Sequence, residues 1–339
     1  MIGFRVDANE YIASGHIVRC ITIANEFVKL GYECIFYLAE NKELWRLEEK
    51  NLSYRILNSD WKNICLEKEL LGNIIKKDGI DWLIVDSYQA DNEYLTYLNG
   101  FCKVAYIDDM ALSKYDIAAV IHYGIYDGLY EKKYEKTSTL CLSGPKYIPL
   151  REEFNKKNVV NKREKNILVT TGGTDKYNVL LDFLKCFVEC DVFKDYGVYI
   201  IIGSMNAYEN DILEFTKKES RLYVLKNISN ISYYMSICEF AVSAGGTTLY
   251  ELCVCKTPTV CFSFADNQYE FVKQMEKEKV MLCAGDPRFD CDIGRRIVSC
   301  LIKIKNNDWL KMKFVNNMEC LLDGKGATRI AKMLLENNN

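Results

Sequence analysis

Asp7-Ala-Asn-Glu-Tyr-Ile-Ala-Ser-Gly-His-Ile-Val-Arg19 follows a short apolar run, Ile2 to Val6, and leads into Ile17, Val18, Ile21, Ile23, Ala24 and Phe27. The first run reads as a β-strand and the later residues are apolar at helical spacing. Ser14-Gly15-His16 therefore falls where a strand has ended and a helix begins, the edge along which open α/β sheets bind ligands. Gly15 lets backbone approach a ligand closely, and free N–H groups at the helix start favour a negative group. His16, one of two histidines in the chain, can move a proton near neutral pH. It reads as a general base or a charge-stabilising donor, or more plainly as a helix-start histidine satisfied by backbone groups.

Outward from this stretch the same alternation recurs. Cys34 to Ala39, Tyr54 to Leu57, Trp82 to Asp86, Val104 to Asp108 and Ala118 to Ile121 read as strands, with a helix from about Asn63 to Lys77. The runs closed by Asp86 and Asp108 have the pattern of buried parallel strands whose polar residues emerge at the carboxyl end. Arg151 to Asn166 is charged and lacks strand periodicity, as a linker would. A second series follows: Ile167 to Thr171, Tyr199 to Ile202, Leu222 to Leu225, Phe240 to Ser243 and Thr259 to Ser263. Repeated β-α-β order predicts two Rossmann-like, doubly wound parallel-sheet domains facing across a cleft. Their bounds are 1–155 and 166–339, joined by a linker at 156–165, with a helical tail closing the second domain.

The length of 339 residues fits two domains. A formal charge of −3 gives no global attraction for nucleic acid or an anionic membrane. No apolar run reaches the ~18 residues that span a bilayer, and the first residues lack a secretory signal pattern, so a cytoplasmic protein without membrane insertion is expected. The fifteen cysteines include no C-x-x-C pair, and they read as reduced thiols that pack as small hydrophobes. Two histidines and distant aspartates give no ligand spacing, so no metal or other cofactor is expected.

Two glycine-rich turns stand out in the second half, Gly172-Gly173-Thr174 and Gly245-Gly246-Thr247-Thr248. Each puts small residues, hydroxyls and free N–H groups at a predicted strand-to-helix junction, a cradle for phosphate. Neither carries a Walker lysine or matches G-x-G-x-x-G, and a single such turn serves equally as a tight turn. Two in one domain point to a diphosphate. Glu251, one helical turn past Thr247 and Thr248, reads either as a ligand for both ribose hydroxyls or as a solvated helix glutamate. Asp86, Asp108 and Asp109 end strands of the first domain and read as cleft residues or as helix caps, with Tyr88 just beyond. His122 closes another strand of that domain. A nucleoside diphosphate is a good leaving group, so C–O cleavage beside it needs charge stabilisation and an activated water rather than the paired carboxyls of a glycosidase.

These motifs together resemble the UDP-2,4-diacetamido-2,4,6-trideoxy-β-L-altropyranose hydrolases of pseudaminic acid biosynthesis, relatives of inverting glycosyltransferases of the two-Rossmann-domain (GT-B) type. The likeness runs through Arg5-Val-Asp7-Ala8, Ser14-Gly-His-Ile-Val-Arg19, Val85-Asp86-Ser-Tyr88, Ile107-Asp-Asp109 and Leu150-Arg-Glu-Glu-Phe154. In the second half it continues through Gly172-Gly-Thr-Asp175, Asn230-Ile231, Ser243-Ala-Gly-Gly-Thr-Thr-Leu-Tyr-Glu251 and Asp266-Asn267-Gln268. The resemblance implies that His16 is catalytic and activates or orients the attacking water, with Tyr88 and Asn267 near the sugar or that water. It implies Gly245, Gly246, Thr247 and Thr248 on the diphosphate, Gly173 and Thr174 opposite, Glu251 on the ribose and backbone at Ile228 on the uracil. Asp7, Gly15, Arg19 and Gln268 join them as substrate contacts. The implied reaction is metal-independent, inverting C–O cleavage of a UDP-sugar. Glycosyl transfer to an acceptor, in surface or spore-coat polysaccharide synthesis, is the alternative.

Overall fold

A computed structural model describes residues 1–7, 15–111, 113–125, 128–155, 162–203, 205–226, 228 and 230–337. The chain divides into two compact units, Met1–Glu152 with Lys325–Asn339, and Glu153–Gly324.

The first unit runs β1 (Ile2–Val6), α1 (Gly15–Lys29), β2 (Cys34–Leu38), α2 (Trp45–Glu49), β3 (Ser53–Ile56), α3 (Lys68–Asp78), β4 (Trp82–Asp86), α4 (Asn92–Asn99), β5 (Lys103–Ile107), β6 (Ala119–His122), α5 (Leu129–Lys132) and β7 (Leu140–Ser143). Its seven strands lie in the order β3-β2-β1-β4-β5-β6-β7, every neighbour parallel. β1 and β4 are buried along their whole length, which is why both read as unbroken apolar runs. Phe4 of β1 stacks on Phe36 of β2 at 4.8 Å, and Phe27 of α1 meets its edge. The helix expected from Asn63 begins later. Trp61–Glu67 form a 3₁₀ segment interrupted at Asn63, whose backbone is non-helical, and α3 starts at Lys68.

The second unit repeats the plan. It runs β8 (Glu164–Thr170), α6 (Val179–Val188), β9 (Gly197–Ile201), α7 (Glu209–Thr216), β10 (Leu222–Leu225), α8 (Ile231–Ile237), β11 (Cys238–Ala244), α9 (Thr248–Val254), β12 (Thr259–Phe262), α10 (Asp266–Lys277), β13 (Met281–Cys283), α11 (Ile293–Lys305) and α12 (Asp308–Leu321). Its six strands are ordered β10-β9-β8-β11-β12-β13 and are all parallel. In both sheets the strand order reverses beside the first strand, between β1 and β4 and between β8 and β11. Doubly wound sheets bind ligands outside the carboxyl ends of strands at such a reversal.

Two boundaries differ from the sequence reading. Residues 156–161 of the expected linker lie outside the described residues, and β8 already begins at Glu164, before the expected start of the second domain. Arg163, within that stretch, has a structural task. Its guanidinium donates to the carbonyls of Ser236, Cys238, Cys255 and Lys256 at 2.7–2.9 Å and to the Thr257 hydroxyl at 3.0 Å. It thereby satisfies the carboxyl ends of α8 and α9, where carbonyls lack intrahelical partners.

The last helix, α13 (Gly326–Glu336), belongs with the first unit rather than the second. Its buried stripe of Ala327, Ile330, Ala331 and Leu334 has helical spacing, and the helix packs on α1, where Thr328 Oγ1 donates to Glu26 at 2.5 Å. Glycine is required at its start, because a Cβ on Gly326 would lie 2.1 Å from the Ile148 carbonyl oxygen. Among the described residues, no helix is long and apolar enough to cross a membrane.

Replacing Arg163 by methionine strands several buried carbonyls. Urea unfolding should show a loss of about 2–4 kcal/mol, and an unchanged midpoint would refute the clasp.

Candidate functional site

The reversal point of the first sheet carries a buried ionic cluster. Asp86, the last residue of β4, is 1% exposed. Arg19 of α1 grips both of its carboxylate oxygens, Nε to Oδ2 at 2.6 Å and Nη2 to Oδ1 at 2.5 Å. The Arg19 Nη1 donates to both oxygens of Asp109 at 2.8 and 2.9 Å and to the Tyr123 hydroxyl. His16 Nδ1 lies 3.0 Å from Asp86 Oδ1 and 3.4 Å from the Asp86 carbonyl oxygen, and the Cys20 thiol donates to Asp86 Oδ2 at 3.4 Å. Helical spacing explains how one carboxylate collects these groups: positions 16, 19 and 20 are i, i+3 and i+4 on one face of α1. Tyr88, half exposed, donates from its hydroxyl to Asp109 at 3.2 Å and sets its ring edge-on to His16 at 4.6 Å.

Charge follows from these contacts. Burial alone would raise the Asp86 pKa, but the Arg19 guanidinium and the His16 ring outweigh it and hold the carboxyl well below its usual range. Burial and the neighbouring Asp109 push the Tyr88 phenol up to about 12, so it stays protonated and able to donate.

Asp7 joins a second buried network through one of its carboxylate oxygens. Its Oδ1 accepts from Arg5 Nη1 at 2.8 Å, while Arg5 Nε donates to Glu67 at 2.5 Å and Tyr94 to the same Glu67 oxygen at 3.0 Å. A charged residue inside the apolar strand Ile2–Val6 was the one signal in the sequence for this network, since a buried guanidinium must be paired. Gly15 opens α1, is exposed and has free space where a Cβ would sit. Ser14 lies outside the described residues. His122 is buried, stacked on Tyr130 at 4.3 Å, with Nδ1 2.5 Å from the Asp108 carbonyl oxygen.

The second sheet presents small residues at its reversal point. Thr170 ends β8 and leads into Gly172, Gly173 and Thr174, with Gly172 at φ +77° and Gly172 and Gly173 exposed. This turn does not open a helix as expected. α6 starts only at Val179, and Asp175 already accepts from the Val179 and Leu180 N–H groups at 2.9 Å each. Gly203 packs directly against the turn, where a Cβ would lie 2.1 Å from the Gly172 carbonyl oxygen. Across the reversal, β11 ends at Ala244. Gly245 is closed in by Gln268 and Val272 of α10, while Gly246 and Thr247 are exposed and Thr248 half-buried at the start of α9. This second turn does lead straight into a helix, where the Leu249 and Tyr250 N–H groups donate to the Gly246 and Thr247 carbonyls at 3.0 Å each. Glu251 is buried in α9. The Gln268 side-chain oxygen accepts from Phe264 N–H at 3.1 Å, bracing the loop between β12 and α10. Asn267 sits in the first turn of α10, its side chain outside the described residues, and Ile228 is half-buried after β10. Among the described residues, no cluster of His, Cys, Asp or Glu could hold a metal ion.

No family model matches the chain. It is 23% identical over 273 residues to the UDP-2,4-diacetamido-2,4,6-trideoxy-β-L-altropyranose hydrolase of Campylobacter jejuni, covering 78% of this chain and 92% of that protein. The chain is a distant homologue of these hydrolases. It is also 22% identical to the spore coat polysaccharide biosynthesis protein SpsG of Bacillus subtilis, over 98% of this chain and 97% of SpsG. An uncharacterized protein of Methanocaldococcus jannaschii is 27% identical over 76% of the chain, and the chain spans about half (54%) of that protein's length. Among solved structures, MurG of Acinetobacter baumannii superposes with a TM-score of 0.71 at 12% identity, covering 99% of both chains. The fold is that of GT-B glycosyltransferases.

The stability that Asp86 contributes is complete above its unfolded pKa of about 4 and fades as pH falls further. Between pH 6 and pH 3 the native chain should therefore lose more unfolding free energy than Asp86→Asn does, and parallel losses would contradict the charge assigned to Asp86.

Proposed function

We propose that the protein is a nucleotide-sugar hydrolase that cleaves a UDP-linked 2,4-diacetamido-2,4,6-trideoxy hexose at the anomeric C–O bond, releasing UDP and free sugar for nonulosonate synthesis of the pseudaminic type. The observation that carries this reading is the His16 ring, held on a buried carboxylate at the reversal point of the first sheet in a homologue of enzymes named for that reaction.

The roles follow from chemistry at each position. The imidazole of His16 takes a proton from water as the water oxygen attacks the anomeric carbon. The C–O bond to the nucleotide breaks, and its electron pair leaves on the β-phosphate oxygen. Backbone N–H groups at Gly246 to Thr248, where α9 begins, stabilise that charge. Glu251 takes the ribose hydroxyls, and the Gly172–Thr174 turn supplies further backbone contacts to the nucleotide. Tyr88 and Asn267 flank the sugar or the water. One displacement by water inverts the anomeric centre and requires no metal.

Transfer of the sugar to an acceptor is a second reading, favoured by the match to SpsG over nearly the full length of both chains. Incubation with a panel of UDP-sugars in ¹⁸O-water separates the two. Hydrolysis predicts UDP release without acceptor and label in the free sugar. Label in UDP, or release only with an acceptor, would overturn the hydrolase reading. His16→Asn should lower kcat by about 10²- to 10⁴-fold while UDP affinity stays near native, and near-native turnover would remove His16 from the reaction.

A further inference from the structure

We propose that Asp86 is a positioning residue: clamped by Arg19, its carboxylate accepts the Nδ1–H of His16 and so fixes the neutral imidazole as the tautomer whose Nε2 carries the lone pair. The claim that this Nε2 receives the proton of the attacking water rests on the hydrolase reading above; the tautomer itself does not.

The assignment comes from counting donors. An ionised carboxylate has acceptors and no hydrogen to give. Among the described residues, His16 Nδ1 meets Asp86 Oδ1 at 3.0 Å and the Asp86 carbonyl oxygen at 3.4 Å, both acceptors. Nδ1 therefore carries the hydrogen, and in a neutral ring Nε2 is left basic. Asp86 is poorly placed to turn away and release the ring. Arg19 engages both of its oxygens through a rigid planar fork, and Arg19 is itself held by Asp109 and Tyr123. The Tyr88 ring, edge-on to the imidazole at 4.6 Å, limits rotation from the other side. Every Arg19 nitrogen is thus engaged by Asp86, Asp109 or Tyr123, so the fork that holds Asp86 is itself held. When Nε2 takes up a proton, the resulting imidazolium already faces an ionised carboxylate, the relation that stabilises such a cation in hydrolytic His–Asp pairs.

The chain has two histidines, which makes the tautomer directly readable. In ¹⁵N-histidine-labelled full-length protein, His16→Gln identifies the His16 signals by their loss. In the native protein the neutral His16 ring should show a protonated Nδ1 and an unprotonated Nε2. Asp86→Asn should shift the ring towards the Nε2–H tautomer and lower kcat on UDP-sugar by about 10²- to 10⁴-fold, with KM near native. An Nε2–H tautomer in the native protein, or native tautomer and turnover in Asp86→Asn, would overturn the proposal. A native Nδ1–H tautomer that is lost in Asp86→Asn, in a protein that turns over no UDP-sugar, would uphold the positioning role and overturn the hydrolase reading instead.

Discussion

A carboxylate almost wholly withdrawn from water, Asp86 at the end of β4, sets the main constraint on how α1 meets the first sheet. Leaving such a charge unpaired costs several kcal/mol, so the helix after β1 must deliver a cation to it. α1 does so with Arg19, and the same helical face brings His16 and Cys20 to the carboxylate. The orientation of the imidazole follows from the pairing of the charge.

The two units share a topology and differ in what they place at its reversal point. The first sheet collects charge there: Asp86, Arg19, Asp109 and His16, with Arg5, Asp7 and Glu67 buried behind the end of β1. The second collects glycines and threonines, with exposed backbone at Gly172, Gly173 and Gly246. Relatives on this fold are named for hydrolysis and for polysaccharide synthesis, so the fold alone does not choose between them.

Much of this was legible in the residues themselves, because buried parallel strands announce themselves as short apolar runs. Leu222 to Leu225 and Trp82 to Asp86 fall where they were expected, and Asp86 and Asp108 lie at the carboxyl ends of their strands. What escaped depended on distant partners. β7 and β13 are short edge strands with little pattern of their own. The closing helix α13 returns to the first unit through contacts with α1 and with backbone at Ile148, which local periodicity cannot reveal. The Gly172 turn looked like the mouth of a helix, yet Asp175 fills that role further along. The hold of Arg19 on Asp86, Asp109 and Tyr123 escaped as well, because those partners lie far from it in the chain.

The central claim is that a single imidazole, held by Asp86, drives one direct attack by water on the anomeric carbon. The anomeric form of the sugar at the moment of release tests this most directly. Proton NMR recorded as a UDP-sugar is turned over, before mutarotation equilibrates the product, should show the anomer opposite to that of the substrate. First release of the anomer that retains the substrate's configuration would require two displacements and would contradict the account.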